Sequence, residues 1–341
     1  MRVAMYYRND DVRLQEMPVP RIGPGEVLVR VEASGICGSD VMEWYRIKKA
    51  PRVLGHEIAG VITDVGEGVK KYQAGDRVFV SHHVPCNTCR YCLSGHHTSC
   101  DTLRTTNFDP GGFAEYLRAP AINVDRGVSV LPDKMTFEEA AFIEPLACVV
   151  RGQRAARLRP GQSVLVIGSG ITGILHIQLA RALGVGRIMA TDVNDFRLQA
   201  ARRFGAEDAW HAQEDVPARV KETNAGALAD LVIVCAGAPA AISQGFRCVE
   251  RGGTVLLFAP TAPGATVPFA VNDFWANEVT ITHAYGGAPA DIAEAMELIR
   301  ARRLPVAEMI THRLPLADTG RGFRLVAEAR ESLKVIIEPQ K

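Results

Sequence analysis

Residues 164–173 read Val-Leu-Val-Ile-Gly-Ser-Gly-Ile-Thr-Gly and join an apolar run to a glycine-rich turn. The apolar run at 164–167 predicts a parallel strand that is covered on both faces. Apolar residues recur at helical spacing over 171–183, so the turn lies between a strand and a helix. Similar patterns predict buried strands at 188–190, 231–234 and 254–258, and helices at 196–204 and 240–249. Alternating strands and helices predict an α/β fold with a doubly wound parallel sheet.

The turn places glycines at 168, 170 and 173, in the spacing Gly-x-Gly-x-x-Gly. Glycine lets the backbone approach a pyrophosphate, and the following helix offers unpaired N–H groups at the positive end of its dipole. Asp192 follows about 20 residues later, where a carboxylate accepts hydrogen bonds from ribose hydroxyls. The motif predicts a dinucleotide site and favours NAD, because no cation adjoins Asp192 directly. Arg197 lies close enough to keep NADP as an alternative.

The first 145 residues have a different pattern, which predicts mostly β structure. Residues 26–32 and part of 58–65 alternate apolar and polar side chains, and residues 76–80 form another short strand. Frequent glycines mark turns between them. These features predict a small, irregular antiparallel barrel. At the other end of the chain, a helix at 291–302 precedes a final strand at 334–337.

Four of the eight cysteines lie close together, at Cys86, Cys89, Cys92 and Cys100. Four thiolates at this spacing can bind one tetrahedral Zn²⁺, and a coordination sphere closed by protein ligands is typical of a structural ion. An iron–sulfur cluster is the chemical alternative, but the rest of the sequence offers it no redox partner. We therefore expect a structural zinc site.

Composition excludes several classes of function. The 341 residues include 39 Lys and Arg against 38 Asp and Glu, so a nucleic-acid-binding surface has no support from charge. The N-terminus lacks the apolar core of a signal peptide, and the most apolar stretch, at 163–185, is interrupted by glycines and polar side chains. We do not expect the cysteines to form a disulfide framework, because thiols are kept reduced in the cytosol. We expect a cytoplasmic protein with neither a nucleic-acid nor a membrane partner.

Three further elements are Cys37-Gly38-Ser39-Asp40, Gly55-His56-Glu57 and Glu144-Pro145-Leu146. Their spacing alone does not show that they converge. In order along the chain, and together with the glycine motif and the four cysteines, they resemble the zinc-dependent medium-chain alcohol dehydrogenases, especially the sorbitol and threonine dehydrogenase branch. The resemblance covers residues 27–334.

The resemblance implies a division of the chain into three segments. Residues 1–146 would form a GroES-like, β-rich catalytic domain that contains a structural zinc lobe at 86–100. Residues 147–286 would form a Rossmann NAD-binding domain, and residues 287–341 would return to the catalytic domain. The active site is then expected in the cleft between the domains, with two zinc ions and NAD per chain.

The same resemblance implies roles for the remaining site residues. Cys37 and His56 would bind a catalytic zinc together with Glu57 or Glu144, since family members differ over which glutamate binds. Asp40 is similar to the carboxylate that orients the ligand histidine, and Ser39 to the hydroxyl that passes on the substrate proton. Met42 occupies the place of the family's relay histidine, so Glu43 or water would replace it. The coenzyme contacts implied are Gly168, Gly170, Ile171, Thr172, Gly173, Asp192, Arg197, Cys235, Ala236, Gly237, Phe258, Ala259 and Lys334.

These observations predict an oxidoreductase that transfers a hydride between a secondary alcohol and NAD. His82, His83 and His283 fall at expected pocket positions and favour a polar substrate, anionic or polyhydroxylated, with solvent-facing histidines as an equal alternative. A polyol, a hydroxy amino acid of the threonine type and a reaction in the direction of carbonyl reduction all stay open. A non-catalytic NAD-binding zinc protein is the alternative from another class. The family implies a homodimer or homotetramer.

Overall fold

A computed structural model describes all 341 residues. The chain forms two compact units, of which one comprises Met1–Ala147 with Gly287–Lys341 and the other Cys148–Gly286. No helix combines the length and the apolar character that crossing a membrane requires.

Sixteen strands and thirteen helices, together with short 3₁₀ turns, make up these units. The strands are β1 (Arg2–Arg8), β2 (Asp11–Glu16), β3 (Val27–Gly35), β4 (Arg52–Val53), β5 (Glu57–Val65), β6 (Arg77–Val80), β7 (Tyr116–Ala119), β8 (Val128–Val130), β9 (Ser163–Ile167), β10 (Arg187–Asp192), β11 (Asp208–His211), β12 (Ala229–Val234), β13 (Val249–Leu257), β14 (Thr280–His283), β15 (Ile310–Pro315) and β16 (Lys334–Glu338). The helices are α1 (Glu43–Arg46), α2 (Arg90–Leu93), α3 (Asp101–Thr105), α4 (Ala121–Gly127), α5 (Phe137–Ala140), α6 (Ile143–Ala155), α7 (Ile171–Ala182), α8 (Asp195–Arg203), α9 (Val216–Thr223), α10 (Pro239–Cys248), α11 (Val271–Ala276), α12 (Pro289–Arg300) and α13 (Thr319–Glu328).

The unit Cys148–Gly286 contains a six-stranded sheet in the order β11-β10-β9-β12-β13-β14. All of its pairings are parallel, and every residue of β9 is buried. The sheet confirms the predicted doubly wound α/β fold. Strand order reverses between β9 and β12, which is the place where such sheets bind ligands beyond the carboxyl ends of their strands.

The other unit is β-rich, as predicted. A seven-stranded sheet runs in the order β15-β16-β3-β5-β6-β8, with β7 added to β3, and a three-stranded sheet has the order β2-β1-β4. The pairings are antiparallel except for β15 with β16. Because β16 pairs with β3, the last strand of the chain belongs to the same sheet as the first long strand.

The register of this sheet brings distant residues to one place. Gly35 pairs with Glu57 across β3 and β5, so Cys37 and His56, just beyond these strand ends, become neighbours. Gly35 must lack a side chain, since a Cβ atom there would lie 2.1 Å from Glu57 Oε2 and 2.7 Å from Lys334 Cε. The strand pairing therefore creates a cluster that sequence spacing does not reveal.

Candidate active site

Three potential metal ligands converge where β3 ends and β5 begins. Donor atoms of Cys37, His56 and Glu57 all lie within 4.8 Å of one another. Thiolate, imidazole and carboxylate are donor types that Zn²⁺ uses, and three protein donors leave a fourth position for water or substrate. The residues present therefore fit an open zinc site.

Asp40 is fully buried and links the parts of this cluster. Its Oδ2 accepts a hydrogen bond from the Cys37 backbone N–H at 3.1 Å, and its Oδ1 lies 3.4 Å from His56 Nδ1. Burial opposes ionisation, but His56 and Arg46 outweigh it and lower the pKa of Asp40. Burial likewise works against a charged His56, yet Asp40 and Cys37 raise the pKa of His56 well above 6.5. Because Nδ1 is held by Asp40, Nε2 is the nitrogen that would bind a metal, and the metal would then take the place of the proton on Nε2.

The carboxylate of Glu57 has a buried partner of opposite charge. Lys334 Nζ contacts Glu57 Oε2, and neither side chain has appreciable exposure. The same ammonium lies 3.4 Å from the Ile36 backbone oxygen and 5.6 Å from the centre of the Phe142 ring. The contact of Lys334 with a coenzyme pyrophosphate stays a prediction, and the partner that the structure describes is Glu57. Glu144, the alternative ligand, is half-buried near the start of α6 and is not one of the three clustered donors.

Arg46 contacts the hydroxyl of Ser39 and was missed by the sequence analysis. Its Nη2 donates to Ser39 Oγ at 2.9 Å and to Asp40 Oδ1 at 3.2 Å. Glu43, the suggested relay group, is exposed and accepts from the Asn9 backbone N–H at 2.9 Å. The basic run at 46–52 is the only sequence signal for this contact, and it does not show which side chain turns inward.

Two of the three histidines suggested for the pocket lie beside His56. The ring centre of His82 is 4.9 Å from that of His56 and 3.8 Å from that of His83. Burial lowers the pKa of His82 well below 6.5 and that of His83 to about 4, which favours the neutral form of both rings near pH 7. His283 lies in the other unit, where it is exposed at the end of β14.

The four clustered cysteines form a compact sulfur site. The Sγ atoms of Cys89 and Cys92 are 3.6 Å apart, as are those of Cys86 and Cys100, and all four lie within 4.8 Å of one another. Backbone N–H groups lower the pKa of Cys86 to about 5, whereas burial raises that of Cys92 to about 12. Four sulfur donors this close fit a closed Zn²⁺ site, in which a bound cation would hold all four as thiolates.

The glycine turn of the other unit has the backbone geometry that a dinucleotide site requires. Gly168 has φ of +91°, which favours glycine, and its N–H donates to the Thr191 backbone oxygen at 2.8 Å. A Cβ on Gly173 would lie 2.0 Å from the Gly168 oxygen, so a side chain there would break the close packing of turn and helix. The N-terminus of α7 has no side-chain cap. These features suit a bound phosphate.

Backbone N–H groups hold the carboxylate of Asp192, the last residue of β10, next to the glycine turn. Its two oxygens accept backbone N–H bonds from Ser169 at 2.7 Å and from Asn194 at 3.0 Å. Arg197 lies near the turn as well, because its guanidinium carbon would be 3.6 Å from a Cβ on Gly170. Both charged groups suggested by the sequence therefore stand beside the glycine motif.

The remaining predicted coenzyme contacts follow the neighbouring strands. Cys235 comes directly after β12, and burial raises its pKa to about 12, so it is a neutral thiol. A Cβ on Gly237 would lie 2.3 Å from the Pro260 oxygen. Phe258 and Ala259 come directly after β13, and both N–H groups bond the Val234 oxygen. Ala236 lies between Cys235 and Gly237, and Ile171 and Thr172 open α7.

Comparison with known proteins covers both units. Residues 23–129 match the model of the alcohol dehydrogenase GroES-like domain, and residues 172–301 match that of the zinc-binding dehydrogenases. The chain is 31% identical to sorbitol dehydrogenase of Gallus gallus, covering 98% of this chain and 95% of that protein. It is 34% identical to L-threonine 3-dehydrogenase of Bacillus velezensis, covering 96% and 95%. The structure of alcohol dehydrogenase TADH from Thermus sp. ATN1 aligns with a TM-score of 0.89 at 32% identity, covering 99% of each chain.

The chain belongs to the zinc-dependent medium-chain alcohol dehydrogenases. These matches confirm the family and the fold, with a GroES-like part and a Rossmann-type part. The family match agrees with the chemistry of both donor clusters. Zinc suits the three donors that leave one coordination position open, and it also suits the four cysteines that would fill all four positions.

If the four-cysteine cluster of this dehydrogenase holds a structural zinc, Cys92→Ser will remove one zinc ion per chain. We expect metal analysis to fall from two ions to one. The melting temperature should fall by several degrees, because structural zinc contributes directly to folding free energy. Cys248→Ser, which changes a buried thiol outside both clusters, is the matched control and should keep both ions. Two ions retained in Cys92→Ser would contradict this assignment.

Proposed function

We propose that this dehydrogenase transfers a hydride between a secondary alcohol of a polar compound and NAD. The observation that carries the proposal is the convergence of Cys37, His56 and Glu57 next to the hydroxyl-bearing Ser39. The closed four-cysteine cluster supports a second, structural ion. Sorbitol and threonine dehydrogenases among the relatives support an alcohol on a polar carbon chain as the substrate.

The residues around the proposed catalytic zinc have separate roles. Cys37, His56 and Glu57 would hold the zinc, with Glu144 as the alternative carboxylate. Zinc, when bound, polarises an alcohol oxygen and lowers its pKa. Asp40 keeps the His56 ring in the orientation that presents Nε2. NAD, when bound, accepts the hydride.

Ser39 Oγ would accept the alcohol proton. One of its lone pairs already accepts a bond from Arg46, which leaves a second lone pair for the substrate hydroxyl and its own O–H to donate. A guanidinium stays protonated at all ordinary pH values and accepts no proton. As the Ser39 Oγ accepts the alcohol proton, its own hydroxyl proton leaves to water rather than to Arg46, while the Glu43 carboxylate is engaged by the Asn9 backbone N–H.

The choice of NAD over NADP is supported by Asp192. A carboxylate at this place hydrogen-bonds ribose hydroxyls and repels a 2′-phosphate. Arg197 beside Gly170 favours a phosphate near the turn, which both coenzymes carry in their pyrophosphate. The eight cysteines form no disulfide, which supports the predicted cytoplasmic, reducing location.

Cys37→Ser tests the proposed reaction. We expect the wild-type chain to reduce NAD in a screen of polyols, diols, hydroxy acids and amino alcohols, and the variant to lose at least a thousandfold in kcat. NADH binding, followed by fluorescence, should stay within twofold, because Cys37 lies outside the unit with the glycine turn. Cys248→Ser again serves as control and should keep its activity. Full activity in Cys37→Ser would refute the proposed site, and a wild-type chain that binds NAD and one zinc without turnover would favour a non-catalytic protein.

We also propose that the chain forms a homo-oligomer. Strand β14 is the edge of the parallel sheet and pairs only with β13 in the chain. Apolar side chains in the segment before it are exposed, with Trp275 at 79% and Val271 at 65%. An unpaired sheet edge beside exposed apolar groups is a surface that proteins usually cover.

Light scattering measures the mass of the oligomer directly. We expect a mass of at least twice the 37.0 kDa of one chain, and a shift toward the single-chain mass in Trp275→Glu, which places a charge on the apolar surface. Leu93→Glu is the control, since Leu93 is similarly exposed in the cysteine lobe and should leave the mass unchanged. A wild-type mass of 37.0 kDa would contradict the proposal.

A further inference from the structure

Arg46 has donor groups that the protein leaves unpaired. Its Nε donates to the Ser39 backbone oxygen at 2.9 Å, and its Nη2 donates to Ser39 Oγ and Asp40 Oδ1. A guanidinium carries five N–H donors, so the two on Nη1 form no hydrogen bond within the protein, and the guanidinium carbon lies 4.7 Å from the centre of the Tyr45 ring. The side chain keeps 16% of its surface exposed. Arg46 can therefore bind a further group while it holds Ser39.

Positive charge in this segment exceeds the negative charge that faces it. Residues 46–52 include Arg46, Lys48, Lys49 and Arg52, and the one ion pair among them joins Arg46 to Asp40. That carboxylate also lies 3.4 Å from His56 Nδ1, so its single charge is shared. Lys48, Lys49 and Arg52 thus form no ion pair with a carboxylate, and Arg46, which contacts Ser39, shares its one carboxylate with His56.

Arg52 is the second guanidinium of this group. Its Nε is enclosed by protein and has no hydrogen-bond partner. Burial lowers the pKa of Arg52 and the positive charge of Arg46 lowers it further, against the opposite effects of Tyr45 and Asp40, so the repulsion between the two cations is only partly offset. The backbone of Arg52 is fixed, because β4 pairs with β1 at Tyr6. An enclosed donor and two mutually repelling cations are both unfavourable without an anion.

We propose that Arg46 and Arg52 bind an anionic group of the substrate, a carboxylate or a phosphate, while the substrate hydroxyl lies at Ser39 Oγ. This inference rests on the proposed dehydrogenase function and names its substrate class. Planar guanidinium groups form paired, charge-assisted hydrogen bonds with either anion. The anion takes up the free donors of Arg46 and relieves the repulsion between the two cations, whereas a neutral polyol cannot neutralise that charge. The substrate is accordingly a hydroxy acid or a phosphorylated hydroxy compound.

Matched substrate pairs separate the anion from the carbon skeleton. 3-Hydroxybutyrate and butane-1,3-diol differ by a carboxylate in place of a terminal alcohol, and glycerol 1-phosphate and glycerol differ by a phosphate. For at least one pair we expect kcat/KM for NAD reduction to be tenfold or more higher with the anion. Calorimetric titration of the zinc-loaded protein should show a similar preference in Kd. The pair that responds identifies carboxylate or phosphate as the recognised group.

Variants test whether Arg52 causes the preference for the anionic substrate. Arg52→Gln should reduce the anion-to-neutral ratio, in both kcat/KM and Kd, at least tenfold. Lys48→Gln removes the same charge from an exposed position of the same segment and should leave the ratio within twofold. Circular dichroism of Arg52→Gln checks that the variant is folded, and the wild-type substrate pairs decide the proposal on their own if it is not.

The outcomes distinguish this inference from the proposed function. Equal or weaker binding and turnover of the anion in both pairs would overturn the inference, and NAD reduction with neutral polyols would leave the dehydrogenase function in place. Tighter binding of an anion without NAD reduction by any compound would support the anion site and overturn the proposed function.

Discussion

A single buried carboxylate organises the candidate site. Asp40 is fully enclosed, and a charge removed from water is stable only when its neighbours pair with it. Its partners are the His56 ring, the Arg46 guanidinium and the Cys37 backbone N–H. One group therefore orients a proposed zinc ligand, anchors the backbone of another, and holds the cation that contacts Ser39. The ligand cluster and the anion site inferred beside it share this dependence.

A buried ion pair connects the same site to the last strand. Lys334 opens the last strand, β16, and its ammonium meets Glu57 in the interior. Gly35, which pairs with Glu57, leaves room for this contact because it lacks a side chain. Removing either charge would leave the other buried without an opposite charge beside it. This requirement gives residues 287–341 a physical reason to fold with the N-terminal β structure.

The sequence predicted those features that local pattern determines. Continuous apolar runs identified β9 and β12 because both faces of these strands are buried. The edge strands β11 and β14 were missed because they are only partly buried and lack such runs. The cysteine cluster was visible because its ligands lie close in sequence. The convergence of Cys37 and His56 depends on strand register, so only a family resemblance could suggest it. The turn of Arg46 toward Ser39 depends on the tertiary surroundings of a basic run, and no local pattern encodes it.

We infer that Asp40 controls the proposed zinc ligands through its charge, and Asp40→Asn removes that charge with little change in shape. Zinc affinity of each site can be measured by competition with a chelator of known strength. We predict that one zinc is bound about 10–100-fold more weakly in the variant while the other, held by the four cysteines, keeps its affinity. Unchanged affinity for both ions would contradict it.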